Sequence, residues 1–298
     1  MLVKKITNSE IILKTPAKIN LFLEVLNKRP DGYHNIYSLF QAISLYDILR
    51  FKLTEKPGII LTCLNNKNLS VENDNLIVKA YNLLNQRYEF QYGLEIELEK
   101  NIPIAGGLGG GSSDSAATIV ACNLLYNIGL SYPEMSTLSE EIGSDLPFFF
   151  SSGQALVSGR GEVINEVKFM TDFELILVSP NLSIETAGSY ASLKRGLTKQ
   201  KNPFNLRRCR TLNDYADQLK SAGNDFEKVQ FLNYPELGEI KDKLYQNGAL
   251  LAQMSGSGPT MFGVFIDLNK VNLDKFSKGR DWRINTVSPI SLTRHLQL

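Results

Sequence analysis

The stretch Ile104–Thr118, IAGGLGGGSSDSAAT, holds five glycines between Gly106 and Gly111 and then changes into a helix-like run. Residues 94–100, just before it, alternate strictly between apolar and polar side chains, which predicts a strand. A strand that passes through glycines into a helix presents backbone N–H groups and the positive end of the helix dipole to an anion. The stretch therefore predicts a phosphate-binding loop in a protein that contains both strands and helices.

Two familiar phosphate-binding motifs do not match this loop. A Walker A loop needs a lysine after its last glycine, and no lysine follows Gly111. The dinucleotide fingerprint needs glycine at its sixth position, where Ser112 or Asp114 stands, depending on the starting glycine. The plain alternative is a flexible turn before a helix cap, but so many glycines lose much conformational entropy on folding. We interpret the loop as a nucleotide site without the usual lysine.

Composition and charge narrow the class of protein. The chain has 298 residues, 43% of them hydrophobic and 21% charged, which suits one large globular domain or two. The net charge of +1 gives no reason to expect a nucleic acid or a membrane as partner. No signal peptide is recognised, and three scattered cysteines and two histidines indicate free thiols rather than a protein-held metal site. We expect a cytoplasmic enzyme or binding protein.

The rest of the chain predicts an alternation of strands and helices. Runs of apolar and β-branched residues predict strands at 10–26 (with a break at Pro16), 36–54, 59–64 and 173–180. Helical spacing predicts helices from Asn75, after the glycine loop (opened by Ser or Asp and closed by Gly129), at about 133–143 and at 224–246. The basic segment 194–210 is expected to be a loop that leads into a helix. A boundary at residue 160 would divide the chain into domains 1–160 and 161–298.

Three segments of the sequence resemble motifs of the GHMP kinases, the superfamily of galactokinase, homoserine kinase, mevalonate kinase and phosphomevalonate kinase. These segments are PAKINLFLEV from Pro16, PIAGGLGGGSSDSAA from Pro103 and MSGSGPTMFGVF from Met254, and they occur in the family's order. The resemblance implies an α+β fold of two domains. The N-terminal domain would be ribosomal-protein-S5-domain-2-like and the C-terminal domain ferredoxin-like, with ATP and Mg²⁺ bound in the cleft between them.

Two further segments narrow the resemblance to one branch of the superfamily. RPDGYHNIYSLFQ from Arg29 and GSDLPFFF from Gly143 are similar to members that phosphorylate the 2-hydroxyl of a cytidine-diphosphate sugar alcohol. That reaction belongs to the non-mevalonate route to isoprenoid precursors. The resemblance therefore implies a small-molecule substrate. Other members of the superfamily often carry glycine at the position of Ala105, which puts a direct phosphate contact of this residue in doubt.

Phosphoryl transfer to a hydroxyl needs positioning, charge neutralisation and often a base. Within the resemblance, Asp145 is the candidate base and Lys18 the cation beside it. Taken alone, Asp145 would be interpreted as a turn residue. Lys18 is flanked by Ala17 and Ile19 on a strand-like stretch, where a charge needs a partner or a ligand, and a lysine that reaches solvent is the lesser alternative. Asn20 lies two positions after Lys18 on a predicted strand, so the two side chains share a face. Its amide is predicted to hold a substrate hydroxyl or the cytosine.

Three aromatic residues are predicted to recognise the cytosine. Tyr33 can stack on a pyrimidine, as aromatic rings do on bases generally, and His34 can read the edge of the base. Tyr190 is a second candidate stacking wall, placed by rough alignment to the family. The plain alternative for Tyr33 and His34 is ordinary aromatic packing under a turn.

A larger set of residues is assigned to the nucleotide, most of them by the resemblance and Lys100 because it ends the strand before the glycine loop. The ATP-binding residues are Asn75, Leu76, Lys100, Gly107, Gly109, Gly110, Gly111, Ser112, Ser113, Gly256 and Ser257. For Asn75, Leu76 and Lys100 a surface or core role is an equal alternative. Asp114 is expected to complement the helix N-terminus rather than to bind metal.

Several alternatives remain open from the sequence. The chain could be another GHMP kinase of the homoserine or mevalonate type, although those substrates have no cytosine to stack on Tyr33. It could also be a non-catalytic nucleotide-binding homologue, against which the presence of both Lys18 and Asp145 argues. A nucleic-acid binder is disfavoured by the net charge of +1. A monomer or a homodimer is expected.

Overall fold

The computed structural model of the chain describes residues 1–66, 69, 72, 74–185, 188–190, 193, 209–276 and 280–292. Of the basic segment at 194–210, only Cys209 and Arg210 are among these residues. The elements are β1 (Leu2–Ile6), β2 (Glu10–Lys28), β3 (His34–Thr54), β4 (Ile59–Cys63), α1 (Leu76–Tyr88), β5 (Gly93–Glu99), α2 (Gly110–Leu125), α3 (Tyr132–Ser139), a 3₁₀ turn (Pro147–Phe150), β6 (Gln154–Ser158), β7 (Val163–Glu166), β8 (Glu174–Pro180), α4 (Leu212–Ala222), α5 (Glu227–Asn233), α6 (Pro235–Gln246), β9 (Leu251–Met254), β10 (Met261–Phe265), a 3₁₀ turn (Leu268–Lys270), α7 (Leu273–Phe276) and β11 (Trp282–Val287).

The first sheet is built around the two long strands β2 and β3. Its order is β1-β2-β3-β5-β4, with β6 pairing to β3 and β7 pairing to β6. The strand predicted to break at Pro16 continues instead through a register shift between Pro16 and Ala17. Proline has no N–H to give to the ladder, so a bulge accommodates it without ending the strand.

The second sheet has the order β11-β8-β10-β9, and its paired strands are antiparallel. Numbered along the chain, β8, β9, β10 and β11 are strands 1 to 4 of this sheet, so its order is 4-1-3-2. This is the strand order of a ferredoxin-like domain. Helices α4, α5 and α6 lie between β8 and β9 in the sequence. The predicted α+β fold with two domains is confirmed.

The two sheets share a hydrophobic core. Ile19 and Leu21 of β2 belong to one buried cluster with Leu177 of β8 and Phe262 of β10. The first sheet extends through β7 to Glu166, so strand pairing carries it past the boundary expected at residue 160. The end of the described chain returns to the first sheet, where Leu292 is part of the other core cluster.

Two helix boundaries differ from the prediction. The helix after the glycine loop begins at Gly110, with Gly109 as its N-cap in the left-handed region (φ 67°), so the predicted opening by Ser or Asp is wrong. It ends at Leu125, and Gly129 lies in the turn beyond it. The single helix predicted at 224–246 is two helices, α5 and α6, because Pro235 begins a new helix.

Candidate active site

A cleft of about 160 Å³ gathers residues from all three sequence motifs. It is lined by Lys18, Asn20, Leu23, Ile36, Phe40, Gly107, Gly109, Asp145, Arg160, Tyr190, Phe226, Gly256 and Ser257. The predicted catalytic residues, two predicted substrate residues and four predicted nucleotide residues therefore meet at one place, although they are far apart in the sequence.

Lys18 and Asp145 form an ion pair at the floor of this cleft. Lys18 Nζ lies 3.2 Å from Asp145 Oδ2, and the lysine is only 3% exposed. The ammonium also lies 4.3 Å from the centre of the Phe40 ring. A buried cation needs such partners, because it has lost its hydration. The Asp145 side chain is about one-third exposed (32%), so its carboxylate can meet a ligand that enters the cleft.

Ser255 of the third motif forms hydrogen bonds with both of the other motifs. Its hydroxyl accepts a hydrogen bond from the backbone N–H of Asn20 (3.3 Å) and donates one to the carbonyl oxygen of Gly107 (2.9 Å). The backbone N–H of Lys18 donates to the carbonyl of Leu108 (2.9 Å), which joins β2 to the glycine loop a second time. The sequence reasoning selected the neighbouring Gly256 and Ser257 and missed Ser255, although it stands in the same quoted motif.

The glycines of the phosphate loop are required by close packing. Gly107 has φ 74°, and a Cβ added there would lie 2.1 Å from the carbonyl oxygen of Ser255. A Cβ added at Gly109 would lie 2.9 Å from Cγ of Lys18. The loop therefore packs closely against both the third motif and Lys18, and any side chain larger than hydrogen would displace one of them.

The start of α2 offers groups that suit an anion. The hydroxyl of Ser113 is buried and has no hydrogen-bond partner among the described residues. Ser112, one position earlier, is partly exposed. Buried polar groups are rarely left unpaired, so an orphan hydroxyl beside a glycine cradle at a helix N-terminus fits a bound phosphate.

Lys100 lies under this helix start rather than in the cleft lining. Its ammonium contacts Asp47 and lies 2.8 Å from Asp114 Oδ2, with all three side chains buried. Asp114, expected to complement the helix N-terminus, pairs instead with Lys100 and with the hydroxyl of Thr15 (2.7 Å). Burial, and secondly the charge of Asp114, raises the pKa of Asp47 to about 7. A nucleotide contact of Lys100 stays a prediction.

Asn75 and Leu76 lie where α1 meets α2. The side chain of Asn75 caps α1 by accepting from the backbone N–H of Ile77 (2.9 Å). The carbonyl oxygen of Leu76 accepts from the hydroxyl of Ser115 (3.0 Å), and a Cβ added at Gly111 would lie 3.6 Å from Cδ1 of Leu76. Leu76 thus adjoins the start of α2, while a place of both residues near the adenine is still a prediction.

Of the three aromatic residues predicted to recognise the cytosine, Tyr190 lines the cleft, His34 contacts Tyr190, and Tyr33 contacts Arg160 of the lining. The rings of His34 and Tyr190 are stacked, 5.2 Å apart, and the edge of Tyr190 meets Phe226 at 4.8 Å. Burial, and secondly Lys28, lowers the pKa of His34 and so favours its neutral ring. Tyr33 is more than half exposed and lies under the guanidinium of Arg160, 5.3 Å from it.

Arg160 was missed by the sequence reasoning. Its Nη2 donates to the carbonyl oxygen of Glu140 (3.1 Å), and within the described part of the chain it has no carboxylate in salt-bridge contact. Its position between two glycines in SGRGE was the available signal, but only the fold brings it to the cleft.

Two further features concern metals and membranes. In the described ranges, no three His, Cys, Asp or Glu side chains come together as a metal-ligand set. None of the described helices combines the length and the apolar character that a membrane crossing requires.

Known proteins resemble this chain along most of its length. Two family models match it, GHMP kinases N terminal domain over residues 75–153 and GHMP kinases C terminal over residues 205–275. The 4-diphosphocytidyl-2-C-methyl-D-erythritol kinase of Caldanaerobacter subterraneus subsp. tengcongensis is 40% identical over 87% of this chain and 89% of its own. That of Pelotomaculum thermopropionicum is 43% identical over 85% of this chain and 88% of its own.

Solved structures of related kinases have the same fold as this chain. A crystal structure of 4-(cytidine 5'-diphospho)-2C-methyl-D-erythritol kinase is 26% identical, covers 93% of this chain and 99% of its own, and superposes with a TM-score of 0.71. A homoserine kinase from Cytophaga hutchinsonii, 18% identical with 99% of each chain covered, superposes with a TM-score of 0.76, which shows a common fold alone. The chain therefore belongs to the 4-diphosphocytidyl-2-C-methyl-D-erythritol kinase family of the GHMP superfamily, and it is an ATP-dependent kinase.

Proposed function

We propose that this kinase transfers the γ-phosphoryl group of ATP to the 2-hydroxyl of 4-diphosphocytidyl-2-C-methyl-D-erythritol, on the non-mevalonate route to isoprenoid precursors. The observation that carries the proposal is the Lys18–Asp145 pair, which lies 3.2 Å apart in a cleft lined by both glycine loops. The stacked rings of His34 and Tyr190 near that cleft support a planar base as part of the acceptor. The names of the relatives specify the same acceptor.

Asp145 and Lys18 divide the chemical work in this proposal. The carboxylate of Asp145 takes the proton of the acceptor hydroxyl as the oxygen attacks phosphorus, in line with the leaving oxygen of ADP. The ammonium of Lys18 holds that carboxylate and offsets the negative charge that develops between the two substrates. Since Lys18 is buried, its charge acts at low local dielectric and is not screened by solvent.

The nucleotide phosphates would lie on the glycine loop and the start of α2. Backbone N–H groups there, with Ser112 and Ser113, supply hydrogen bonds, and Gly256 and Ser257 face them across the cleft. The described residues offer no ready set of metal ligands, so we propose that Mg²⁺ arrives with the phosphates, as it commonly does in kinases. The cytoplasmic location and the monomeric or homodimeric state stay predictions.

The cytosine would be held at the end of the cleft lined by Tyr190. Tyr33 and Tyr190 would stack on the base, and neutral His34 would present one donor and one acceptor to its edge. Asn20 keeps capacity for a substrate contact, because its amide oxygen can accept a second hydrogen bond and its nitrogen has a second hydrogen.

The test is ADP formation with ATP, Mg²⁺ and a panel of acceptors: the cytidine compound, homoserine, mevalonate and galactose. We expect turnover with the cytidine compound alone and a loss of at least about 100-fold in kcat for Asp145→Asn, which removes the base while keeping its shape. Asp172→Asn, at an exposed position, serves as the matched control and should keep wild-type activity. Turnover with another acceptor would overturn the proposed substrate, and an active Asp145→Asn would overturn the role of the carboxylate.

A further inference from the structure

Ser38 lies behind the catalytic pair and has no part in the proposed function so far. It is fully buried on β3, and its hydroxyl lies between two groups of β2. The hydroxyl donates to the carbonyl oxygen of Phe22 at 2.5 Å and accepts from Nδ2 of Asn20 at 3.0 Å. These two hydrogen bonds connect Ser38 to the side chain of Asn20 and to the backbone of β2.

The hydrogen bonds of Ser38 have a fixed direction. A serine hydroxyl has one proton, and here that proton is directed to the carbonyl of Phe22. Towards Asn20 the oxygen of Ser38 can therefore only accept, so the amide of Asn20 must turn its NH₂ group to Ser38. Its carbonyl oxygen then faces Lys18 and accepts from the ammonium at 2.7 Å.

The opposite orientation of the Asn20 amide would bring an NH₂ group against the Lys18 ammonium. Two donors would then face each other in a buried place, and the lysine would lose a partner. Among the described residues, the ammonium would keep the ion pair with Asp145, at 3.2 Å, and the contact with the Phe40 ring.

The strand geometry brings these groups into line. Lys18 and Asn20 lie two residues apart on β2, so their side chains share the face that looks into the cleft. The register of β2 against β3 shifts between Asn20 and Phe22, next to the carbonyl that Ser38 binds. Bulges of this kind occur beside active sites, where they redirect a side chain.

We propose that Ser38 is a positioning residue for phosphoryl transfer: it fixes the orientation of the Asn20 amide and thereby holds the Lys18 ammonium against Asp145. This inference rests on the proposed function, since it takes Lys18 and Asp145 as the groups that act on the acceptor. Ser38 itself is fully buried and is not among the residues that line the cleft.

The test compares kcat and KM in wild type, Ser38→Ala, Ser38→Thr and a double-mutant cycle with Asn20→Ala. Ser38→Ala should lower kcat by about tenfold and leave both KM values within about twofold, because an Asn20 amide that is free to turn no longer holds the hydrogen bond to the Lys18 ammonium, and a lost hydrogen bond to a charged group has about this effect. Ser38→Thr should restore kcat, since it keeps the hydroxyl on a strand that suits a β-branched residue. In the Asn20→Ala background, Ser38→Ala should cause no further loss.

Ser139→Ala is the matched control, because Ser139 is also fully buried and donates to a backbone carbonyl, that of Ser136 at 2.6 Å. It lies on α3, outside the cleft lining, and should keep wild-type kcat. Wild-type kcat in Ser38→Ala would overturn the inference, and so would an equal loss in the Asn20→Ala background or a failure of threonine to restore activity.

A separate readout distinguishes failure of this inference from failure of the proposed function. If wild type forms no product from the cytidine compound, the proposed function fails, and the orientation is judged by NMR instead. The side-chain NH₂ protons of Asn20 should then exchange slowly in wild type and faster in Ser38→Ala, while equal exchange in the two proteins would overturn the inference.

Discussion

Replacing Gly107 by alanine tests whether the two glycine loops pack backbone against backbone. Gly107 has φ 74°, and the added Cβ would lie 2.1 Å from the carbonyl oxygen of Ser255 and 3.3 Å from that of Gly258. The left-handed backbone costs an L-residue about 1–2 kcal/mol, and forcing a methyl group against fixed backbone atoms adds about 1–3 kcal/mol. The free energy of unfolding should therefore fall by about 2–5 kcal/mol.

Gly129→Ala is the control that separates the two contributions. Gly129 has a similar φ of 84°, but no atom lies within 4 Å of an added Cβ. The free energy of unfolding of Gly129→Ala, measured by urea or guanidinium denaturation, should therefore fall only by the cost of the left-handed backbone, about 1–2 kcal/mol. ATP affinity, measured by calorimetric titration, should weaken in Gly107→Ala and not in Gly129→Ala. Equal losses of stability and unchanged ATP binding in both variants would refute the packing of the two loops.

Three further predictions concern other parts of the site. Ala105 has φ 53°, so Ala105→Gly should relieve backbone strain in the folded chain. This gain should exceed the cost of the freer unfolded chain, so the free energy of unfolding in denaturant titrations should rise by up to about 1 kcal/mol. A fall in that free energy would contradict the prediction. Burial and the charge of Asp114 raise the pKa of Asp47 from 3.8 to about 7, so between these pH values the folded chain keeps a proton that the unfolded chain releases. Stability should therefore fall as pH rises through this window, by less than about 1.4 kcal/mol per pH unit, and denaturation at pH 5 and pH 7 checks the sign. Arg160→Gln should raise the acceptor KM about tenfold with little change in kcat, since it removes a cation from the cleft, and an unchanged KM in steady-state kinetics would exclude this contact.

The sequence predicted those parts of the site that lie within continuous motifs. The strand, glycine loop and helix around Gly109 were expected from glycine density and periodicity. Lys18 was expected from the family resemblance, and the face that it shares with Asn20 from their spacing on a strand. Even here the helix start was misjudged, because serine and aspartate are common caps and the actual cap is a glycine in the left-handed region. The residues that follow Gly109 do not indicate that its backbone is in the left-handed region.

The contacts that the sequence did not predict depend on distant segments meeting. The contacts of Ser38, Arg160 and Ser255 arise only when β3, the turn after β6 and the loop after β9 converge on β2. Lys100 shows the same limit in another way. It was assigned because it ends the strand before the loop, whereas its ammonium contacts the carboxylates of Asp114 and of Asp47, and Asp47 is far away in the sequence.

The shared core has a consequence for how the chain can be divided. Ile19 and Leu21 are covered by residues of the second sheet, and Leu23 exchanges backbone hydrogen bonds with Gly223 and Asp225 near α5. A fragment that ends at Glu166 would expose Ile19 and Leu21 of β2 to solvent, and the complementary fragment would expose the residues of the second sheet that cover them. Two halves produced separately should therefore be insoluble or inactive alone, and activity should return when they are combined, because each half then covers the apolar surface that the other exposes.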